Sequence, residues 1–126
     1  MKVRDLPPGR LLSVERDSTL AEVAKRMRMA DSDSVAVLSD GKLVGIITES
    51  DLVRAIADGV DPQQVRAEVV MSADPATVSA DEEAAVVAMK MTRLGVGHLP
   101  VVNKDGKPVG ILSARNLLAV LEKGAG

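Results

Sequence analysis

The sequence predicts an α/β protein built from two pseudo-twofold related repeats of the order β-α-β-β-α, packed into one module. Residues 40–56 and 105–121 match at an offset of 65, with seven of seventeen positions identical. Upstream positions recur at an offset of 64, and the inserted Lys104 accounts for the change. Short β-branched segments alternate with helical patterns, as in layered α/β folds. A period this long, present twice, indicates a pair sharing one core, with repeat 1 at residues 1–62 and repeat 2 at residues 63–126.

The first half of copy one is predicted to be a strand followed by an amphipathic helix. The strand is expected at Ser13 and Val14. Asp17 or Ser18 is expected to cap the helix. Its apolar residues recur at the helical spacing i, i+3, i+4 and i+7, and they are Leu20, Val23, Ala24 and Met27. We expect this stripe to face the core.

The second half of copy one is predicted to be a hairpin followed by a second helix. Two short β-branched segments flank an Asp-Gly pair at residues 40–41, which favours the positive φ angles of a tight turn. The segments are residues 35–38 and 43–47. The helix is expected to open at Thr48 and to stop around Gly59. A short amphipathic stretch then leads up to Met71.

Copy two is predicted to repeat the same order of elements. Its first strand is expected at Thr77 and Val78, and its last helix is expected to end near Gly124. Between them we expect a helix at about 81–93 and strands at 99–102 and 108–112. Four methionines on the predicted helices are interpreted as adaptable core packing, namely Met27, Met29, Met89 and Met91.

Composition argues against several classes of partner. The chain has 126 residues and is 46% hydrophobic, yet it contains no Phe, Tyr or Trp. The core must therefore be aliphatic, and single-stranded nucleic acid, which usually stacks on aromatic side chains, is disfavoured. Sixteen basic and eighteen acidic side chains give a formal net charge of −2. Non-specific binding to nucleic acid or to an acidic membrane surface is not favoured by that balance.

The same composition favours a cytoplasmic protein that is not an enzyme. We find neither an apolar segment of about 20 residues for a membrane span nor a signal-peptide core. The lack of cysteine excludes disulfides, thiolate catalysis and cysteine-ligated zinc. The sequence also contains no nucleophile beside a base, no metal-ligand spacing and no phosphate-binding loop. We therefore expect no catalytic residue and no metal site.

One short motif recurs where a hairpin strand meets its helix. Copy one has Thr48-x-x-Asp51, and copy two has Ser113-x-x-Asn116. The structural explanation is a helix cap, since a hydroxyl and an acidic group satisfy free backbone N–H groups there. Recurrence at matching places raises a second explanation. A helix N-terminus can hold an anion, and a carboxylate can accept both hydroxyls of a ribose, so these groups could bind a nucleotide.

The order of these motifs resembles the CBS domain, named after cystathionine β-synthase. In copy two the resemblance rests on Thr77-Val78, His98-Leu99-Pro100-Val101-Val102, Asp105-Gly106, Val109-Gly110-Ile111 and Ser113-x-x-Asn116. In copy one it rests on Val35-Ala36-Val37-Leu38, Asp40-Gly41, Leu43-Val44-Gly45-Ile46-Ile47-Thr48 and Asp51-Leu52. It covers almost the whole chain. The resemblance implies a tandem pair, or Bateman module, whose two clefts bind AMP, ADP, ATP, S-adenosylmethionine or NAD as regulatory ligands, with no cofactor required.

The resemblance also implies which residues line each cleft. The first cleft would combine residues of copy one with strand starts of copy two, namely Ile46, Thr48, Ser50, Asp51, Thr77, Val78, His98, Leu99 and Pro100. The second, weaker cleft would combine Ile111, Ser113, Arg115 and Asn116 with Ser13, Val14, Ser34, Val35 and Ala36. We favour the first because Asn116 cannot receive two hydroxyls as symmetrically as the carboxylate of Asp51.

His98 and the overall role leave alternatives open. A lone histidine at a strand start is more often a surface or packed residue than a ligand. Proteins of the family that this sequence resembles, however, often have a basic residue that contacts phosphate at the position of His98. In that role it would bind more strongly as the imidazole is protonated. The chain as a whole is interpreted as a sensory module that signals to an unknown effector protein. The alternative is a structural dimerisation module with vestigial pockets, and a homodimer is expected.

Overall fold

The computed structural model describes residues 1–6 and 11–125, and the chain divides into two compact units. The copy-one unit is Leu11–Pro75. The copy-two unit is Ala76–Gly126 together with Met1–Arg10. The unit boundaries differ from the predicted repeat boundaries. The segment at the start of each predicted repeat, Met1–Arg10 or residues 63–75, belongs to the unit of the other repeat, and what remains of each repeat is called a copy below.

The copy-one unit contains a four-stranded sheet and three helices. In chain order its elements are β1 (Ser13–Glu15), α1 (Leu20–Met29), β2 (Ser34–Ser39), β3 (Lys42–Thr48), α2 (Glu49–Ala57), α3 (Ala67–Val70) and β4 (Ser72–Ala73). The sheet order is β1-β2-β3-β4. Strand β1 pairs parallel to β2, and the other two pairings are antiparallel. The sequence did not predict β4, a two-residue strand.

The copy-two unit repeats this plan with a three-stranded sheet. It begins with a 3₁₀ turn at Val3–Asp5 and continues with β5 (Val78–Ser79), α4 (Ala84–Leu94), β6 (His98–Val102), β7 (Pro108–Ser113) and α5 (Ala114–Ala125). The sheet order is β5-β6-β7, parallel then antiparallel. The predicted α/β class and the order β-α-β-β-α are confirmed in both copies.

Local sequence chemistry explains how the copy-one hairpin and helix end. Asp40 and Gly41 have φ angles of 51° and 79°, so both central residues of the hairpin turn are left-handed as the Asp-Gly pair predicted. Helix α2 ends before Gly59, whose φ angle is 81°. Glycine reaches this conformation without a Cβ clash, and the helix therefore stops there.

Each unit has its own aliphatic core. In the copy-one unit the buried cluster is Val14, Leu20, Val23, Met27, Val35, Val37, Ile47, Ala55 and Ala67. In the copy-two unit it is Val3, Leu6, Val78, Ala84, Val87, Met91, Leu99, Val101, Leu112 and Leu117. Val3 and Ala67 stand 64 residues apart, at equivalent positions before the two copies. The segments around them pack into the core of the other copy's sheet.

Several core expectations were wrong. Ala24, predicted to lie on the buried stripe of α1, is exposed. Met29 and Met89 are 78% and 63% exposed, whereas Met27 and Met91 are buried as expected. Met29 and Met89 each lie two positions from a buried methionine, on the opposite side of the helix, and therefore point outward. Ala24 lies at the edge of the buried stripe, next to Val23.

The beginnings of two helices also differ from expectation. The cap of α1 is Thr19, not Asp17 or Ser18, and its Oγ1 accepts a hydrogen bond from the Glu22 N–H at 3.2 Å. Helix α4 begins at Ala84 and not near residue 81. Within the described ranges no helix is long and apolar enough to cross a bilayer. The described side chains likewise include no group of three or more His, Cys, Asp or Glu arranged for a metal ion.

Candidate functional site

Buried polar side chains occur at the predicted site residues. In the part of the chain that the structure describes, the buried polar residues are Ser34, Asp51 and Ser113, at 5%, 9% and 9% exposure. All three belong to the predicted clefts. Burying a polar group costs free energy unless the group is hydrogen-bonded. Asp51 and Ser113 offset this cost with side-chain hydrogen bonds at the starts of α2 and α5.

Asp51 closes the junction between β3 and α2. Its Oδ2 accepts hydrogen bonds from the N–H of Thr48 at 2.9 Å and from the Oγ1 hydroxyl of Thr48 at 3.3 Å. Its Oδ1 accepts one from Nη1 of Arg54 at 3.2 Å. The side chain of Asp51 is only 12% exposed. The capping explanation of the Thr48-x-x-Asp51 motif is thus correct for this helix, and it leaves one oxygen with acceptor capacity.

The strand register places further predicted residues beside this junction. Ser34 pairs with Thr48, and Ala36 pairs with Ile46. Paired residues and their second neighbours point to the same side of a sheet. This side is opposite to the one carrying core residues such as Ile47. Residues assigned to the first cleft and to the second cleft therefore lie next to each other in the copy-one unit, together with Ser13, which pairs with Ala36.

Four predicted contact residues have side chains in the cores. Val14 and Val35 are 2% and 0% exposed and belong to the copy-one core. Val78 and Leu99 are 1% and 2% exposed and belong to the copy-two core. A ligand can meet these residues only through main-chain atoms. The period-2 alternation along the strands, Ser34 and Ala36 against Val35, was the sequence signal for this difference.

The copy-two unit has an equivalent junction with different chemistry. His98 pairs with Ser113, and Pro100 pairs with Ile111. The N–H of Asn116 donates to the Ser113 Oγ at 3.1 Å, and the Ser113 hydroxyl donates to the Asn116 Oδ1. Asn116 is exposed, unlike Asp51. Asn116 has one acceptor oxygen, which already accepts from Ser113, whereas Asp51 has two, and the junction therefore has less capacity for a diol.

The remaining predicted residues lie around these two junctions. Ser50 and Arg115 are exposed in the first turns of α2 and α5. His98 and Thr77 are half-buried. The carbonyl of Thr77 accepts a hydrogen bond from Nζ of Lys90 at 3.2 Å. Each predicted cleft takes residues from both units, and the joining of those halves stays a prediction.

The helix N-termini offer fewer donors than the sequence indicated. The N–H of Glu49 donates to the Asp33 carbonyl at 3.1 Å, and the N–H of Ala114 donates to the Gly97 carbonyl at 2.8 Å. The first turn of α2 also carries Glu49 and Asp51. Two acidic groups there disfavour an anion, and this end of α2 is better suited to hydroxyl donors.

Sequence reasoning missed Arg54. It lies one turn after Asp51 on α2, and its guanidinium pairs with the Asp51 carboxylate. The signal was present, because opposite charges three residues apart on a helix face each other. The position is 69% exposed in its side chain and has Ala119 as its equivalent in copy two.

The protein is a tandem pair of CBS domains. The CBS domain family model matches residues 3–58 and 65–123. The chain therefore belongs to the CBS domain family, as the resemblance of its motifs had indicated, and each copy corresponds to one match.

Two solved structures share the fold over the full chain. One is a CBS domain protein from Pyrobaculum aerophilum complexed with AMP, 27% identical, with a TM-score of 0.87 and complete coverage of both chains. The other is the CBS domain pair of protein MJ0100 in complex with 5′-methylthioadenosine and S-adenosyl-L-methionine. It is 26% identical with a TM-score of 0.88, covering 100% of this chain and 98% of that one.

Sequence relatives include longer proteins. An uncharacterized protein of Methanopyrus kandleri is 35% identical over 104 residues, which are 81% of this chain and 53% of that protein. The L-aspartate semialdehyde sulfurtransferase of Methanosarcina acetivorans is 28% identical over 122 residues, 96% of this chain and 24% of that protein. This chain thus spans about half of the first relative and about a quarter of the second. The enzyme name belongs to a longer protein, of which the matched region is 24%.

Proposed function

We propose that this chain is a regulatory module that binds an adenosine-containing ligand through the Asp51 junction and signals to an effector protein. The observation that carries the proposal is the buried carboxylate at 9% exposure, with acceptor capacity left on its Oδ1. A ribose diol offers two hydroxyl donors, and a carboxylate is the side chain best able to accept both. Relatives of the same fold crystallised with AMP or S-adenosyl-L-methionine support this ligand class.

The proposal assigns the stronger site to Asp51 and the weaker one to Asn116. The carboxylate is buried and charged, so hydrogen bonds to it are stronger than hydrogen bonds to a neutral amide. Asn116 is exposed, and its Oδ1 already accepts from Ser113. One equivalent of AMP, ADP or ATP per chain is therefore the expected stoichiometry. NAD and S-adenosylmethionine carry the same ribose and are further candidates.

Signalling would follow from differential binding. A ligand shifts a conformational equilibrium only as far as its affinities for the two states differ. We propose that ligand binding at the Asp51 junction stabilises one conformation that the effector recognises. The identity of the effector and the cytoplasmic location expected from the sequence stay predictions.

Exposed apolar side chains favour the alternative role as a dimerisation module. On α2, Val53 and Ile56 are 68% and 59% exposed at a spacing of three residues. On α5, the equivalent of Val53 is Leu118, which is 63% exposed. Apolar residues at such a spacing form one stripe on a helix, and large exposed apolar stripes are typical of interaction surfaces. A homodimer through these helices is compatible with ligand binding at Asp51.

A thermal-shift panel tests the proposed function. The protein is heated with millimolar AMP, ADP, ATP, NAD or S-adenosylmethionine, and with CMP as the control for the base. Ligand that binds only the folded state stabilises it by mass action, by about 2.7 kcal/mol at a concentration one hundred times its Kd. We expect at least one adenosine ligand to raise Tm, and a smaller shift with CMP, which carries the same ribose, would measure the contribution of the ribose and phosphate without adenine. Absence of a shift with every ligand would favour the dimerisation module.

A further inference from the structure

Arg54 donates a hydrogen bond to the carboxylate oxygen that a ribose diol would need as its acceptor. The Asp51 Oδ2 already accepts two hydrogen bonds from Thr48, at 2.9 and 3.3 Å. A carboxylate oxygen has about two acceptor positions, and Oδ2 is therefore filled. The remaining acceptor atom is Oδ1, and Nη1 of Arg54 donates to it at 3.2 Å. Two ribose hydroxyls that approach Asp51 would both have to use Oδ1.

We infer that Arg54 is a displaceable placeholder that competes with the ribose hydroxyls for the Asp51 carboxylate and so sets the affinity and the sugar specificity of the site. This inference rests on the proposed function of Asp51. With the guanidinium in place, Oδ1 has room for one hydroxyl. With the guanidinium removed, it has room for two.

The burial of the two partners shows which one moves. The side chain of Asp51 is 12% exposed and is fixed by Thr48, whereas the side chain of Arg54 is 69% exposed. The guanidinium end of this ion pair lies in water, and water solvates a released guanidinium well, so the pair holds Arg54 only weakly. The guanidinium can therefore leave at small cost, and the carboxylate stays. Copy two has Ala119 at the equivalent position and lacks this competition.

The test compares AMP with 2′,3′-dideoxyadenosine monophosphate by isothermal titration calorimetry. Arg54→Met removes the donor and keeps a long helix-forming side chain. The charge change affects the phosphate of both ligands alike, and the ratio of the two affinities therefore isolates the hydroxyls. Arg16→Met is the matched control, since Arg16 is an exposed arginine in a looser ion pair, 3.8 Å from Glu68, in the same unit.

We expect Arg54→Met to raise the affinity ratio of AMP to the dideoxy nucleotide about two- to fivefold over wild type, and Arg16→Met to leave the ratio unchanged. Raising the salt concentration should raise the ratio of the wild type toward that of Arg54→Met, because salt screens an exposed ion pair. If wild type binds AMP but Arg54→Met leaves the ratio unchanged or lowers it, the placeholder role is overturned and the proposed function stands. If neither wild type nor Arg54→Met binds AMP, the role of Arg54 and the proposed function are both refuted.

Discussion

Replacing Asp51 separates ligand binding from helix capping. In the structure the N–H of Thr48 donates to Oδ2 of Asp51 at 2.9 Å. Asp51→Asn keeps an amide oxygen that can accept this hydrogen bond but removes the negative charge. It also makes copy one resemble copy two, where Asn116 stands at the equivalent position. Asp51→Ala removes both functions. The pair of variants therefore distinguishes the loss of a ligand contact from the loss of a fold contact.

The magnitude follows from the two kinds of hydrogen bond. Bonds to a charged group contribute about 1.5 to 3 kcal/mol, and about 1.4 kcal/mol corresponds to a tenfold change in affinity. Asp51→Asn is thus expected to weaken AMP binding about 10- to 150-fold. Loss of a cap costs about 1 kcal/mol of stability, and this cost applies mainly to Asp51→Ala, which leaves the N–H of Thr48 without its acceptor.

Calorimetric titration with AMP measures the binding, and circular dichroism melting measures the fold. Asn116→Ala serves as the control, because the exposed amide is expected to contribute little to the stronger site. Asp51→Asn should melt within a few degrees of wild type, and Asp51→Ala should melt lower. An AMP affinity of Asp51→Asn within twofold of wild type would refute the assignment of the ribose to this carboxylate.

Three further substitutions test the second junction, the packing of β3 and the helix surface. Asn116→Asp is expected to raise the stoichiometry of AMP binding from one to two per chain in calorimetry, and a stoichiometry that stays at one would show that burial, not charge, limits this junction. Gly45→Ala is expected to lower the free energy of unfolding in urea by about 1 to 3 kcal/mol, since the new Cβ would overlap the side chain of Met71. Gly97→Ala, with open space around its Cβ, is the control, and equal losses would contradict the packing argument. Val53→Asp is expected to convert a dimer to a monomer in analytical ultracentrifugation, and an unchanged mass would remove α2 from the interface.

The sequence could predict those features that local chemistry decides. The Asp40-Gly41 turn depends on φ preferences of two residues, and both adopt positive φ as predicted. Thr48 and Ser113 directly precede α2 and α5, as expected from the preference for hydroxyl side chains at the residue before a helix. The repeat itself predicted that both copies would share one order of elements.

Within the candidate site, sequence reasoning located polar residues better than it predicted which way a side chain points or which group it hydrogen-bonds to. It identified Asp51, but the resemblance also assigned ligand contacts to Val35 and Leu99, whose side chains lie in the cores. A family resemblance transfers positions and does not state whether the main chain or the side chain makes the contact. Arg54 was missed because its importance depends on which carboxylate oxygen it occupies, and only coordinates give that.

The helix starts could not be predicted from local sequence because remote carbonyls decide them. Three cap residues stand in a row before α1, and any of them could serve. The N–H groups of Leu20 and Ala21 donate to the carbonyls of Val65 and Pro62, at 3.0 and 2.9 Å. Thr19 becomes the cap because the helix begins where these acceptors lie.

A remote carbonyl also determines where α4 begins, and this carbonyl belongs to the N-terminal residue of the chain. The N–H of Ala84 donates to the carbonyl of Met1 at 2.8 Å, and the N–H of Val3 donates to the carbonyl of Glu82 at 2.9 Å. The first N–H groups of a helix have no partner within the helix, so an external acceptor determines how early the helix can begin. In each copy that acceptor belongs to the segment that precedes the other copy. The two repeats therefore exchange the short segments that complete their folds. Helix α1 needs an acceptor from the segment before copy two, and helix α4 needs an acceptor from the segment before copy one.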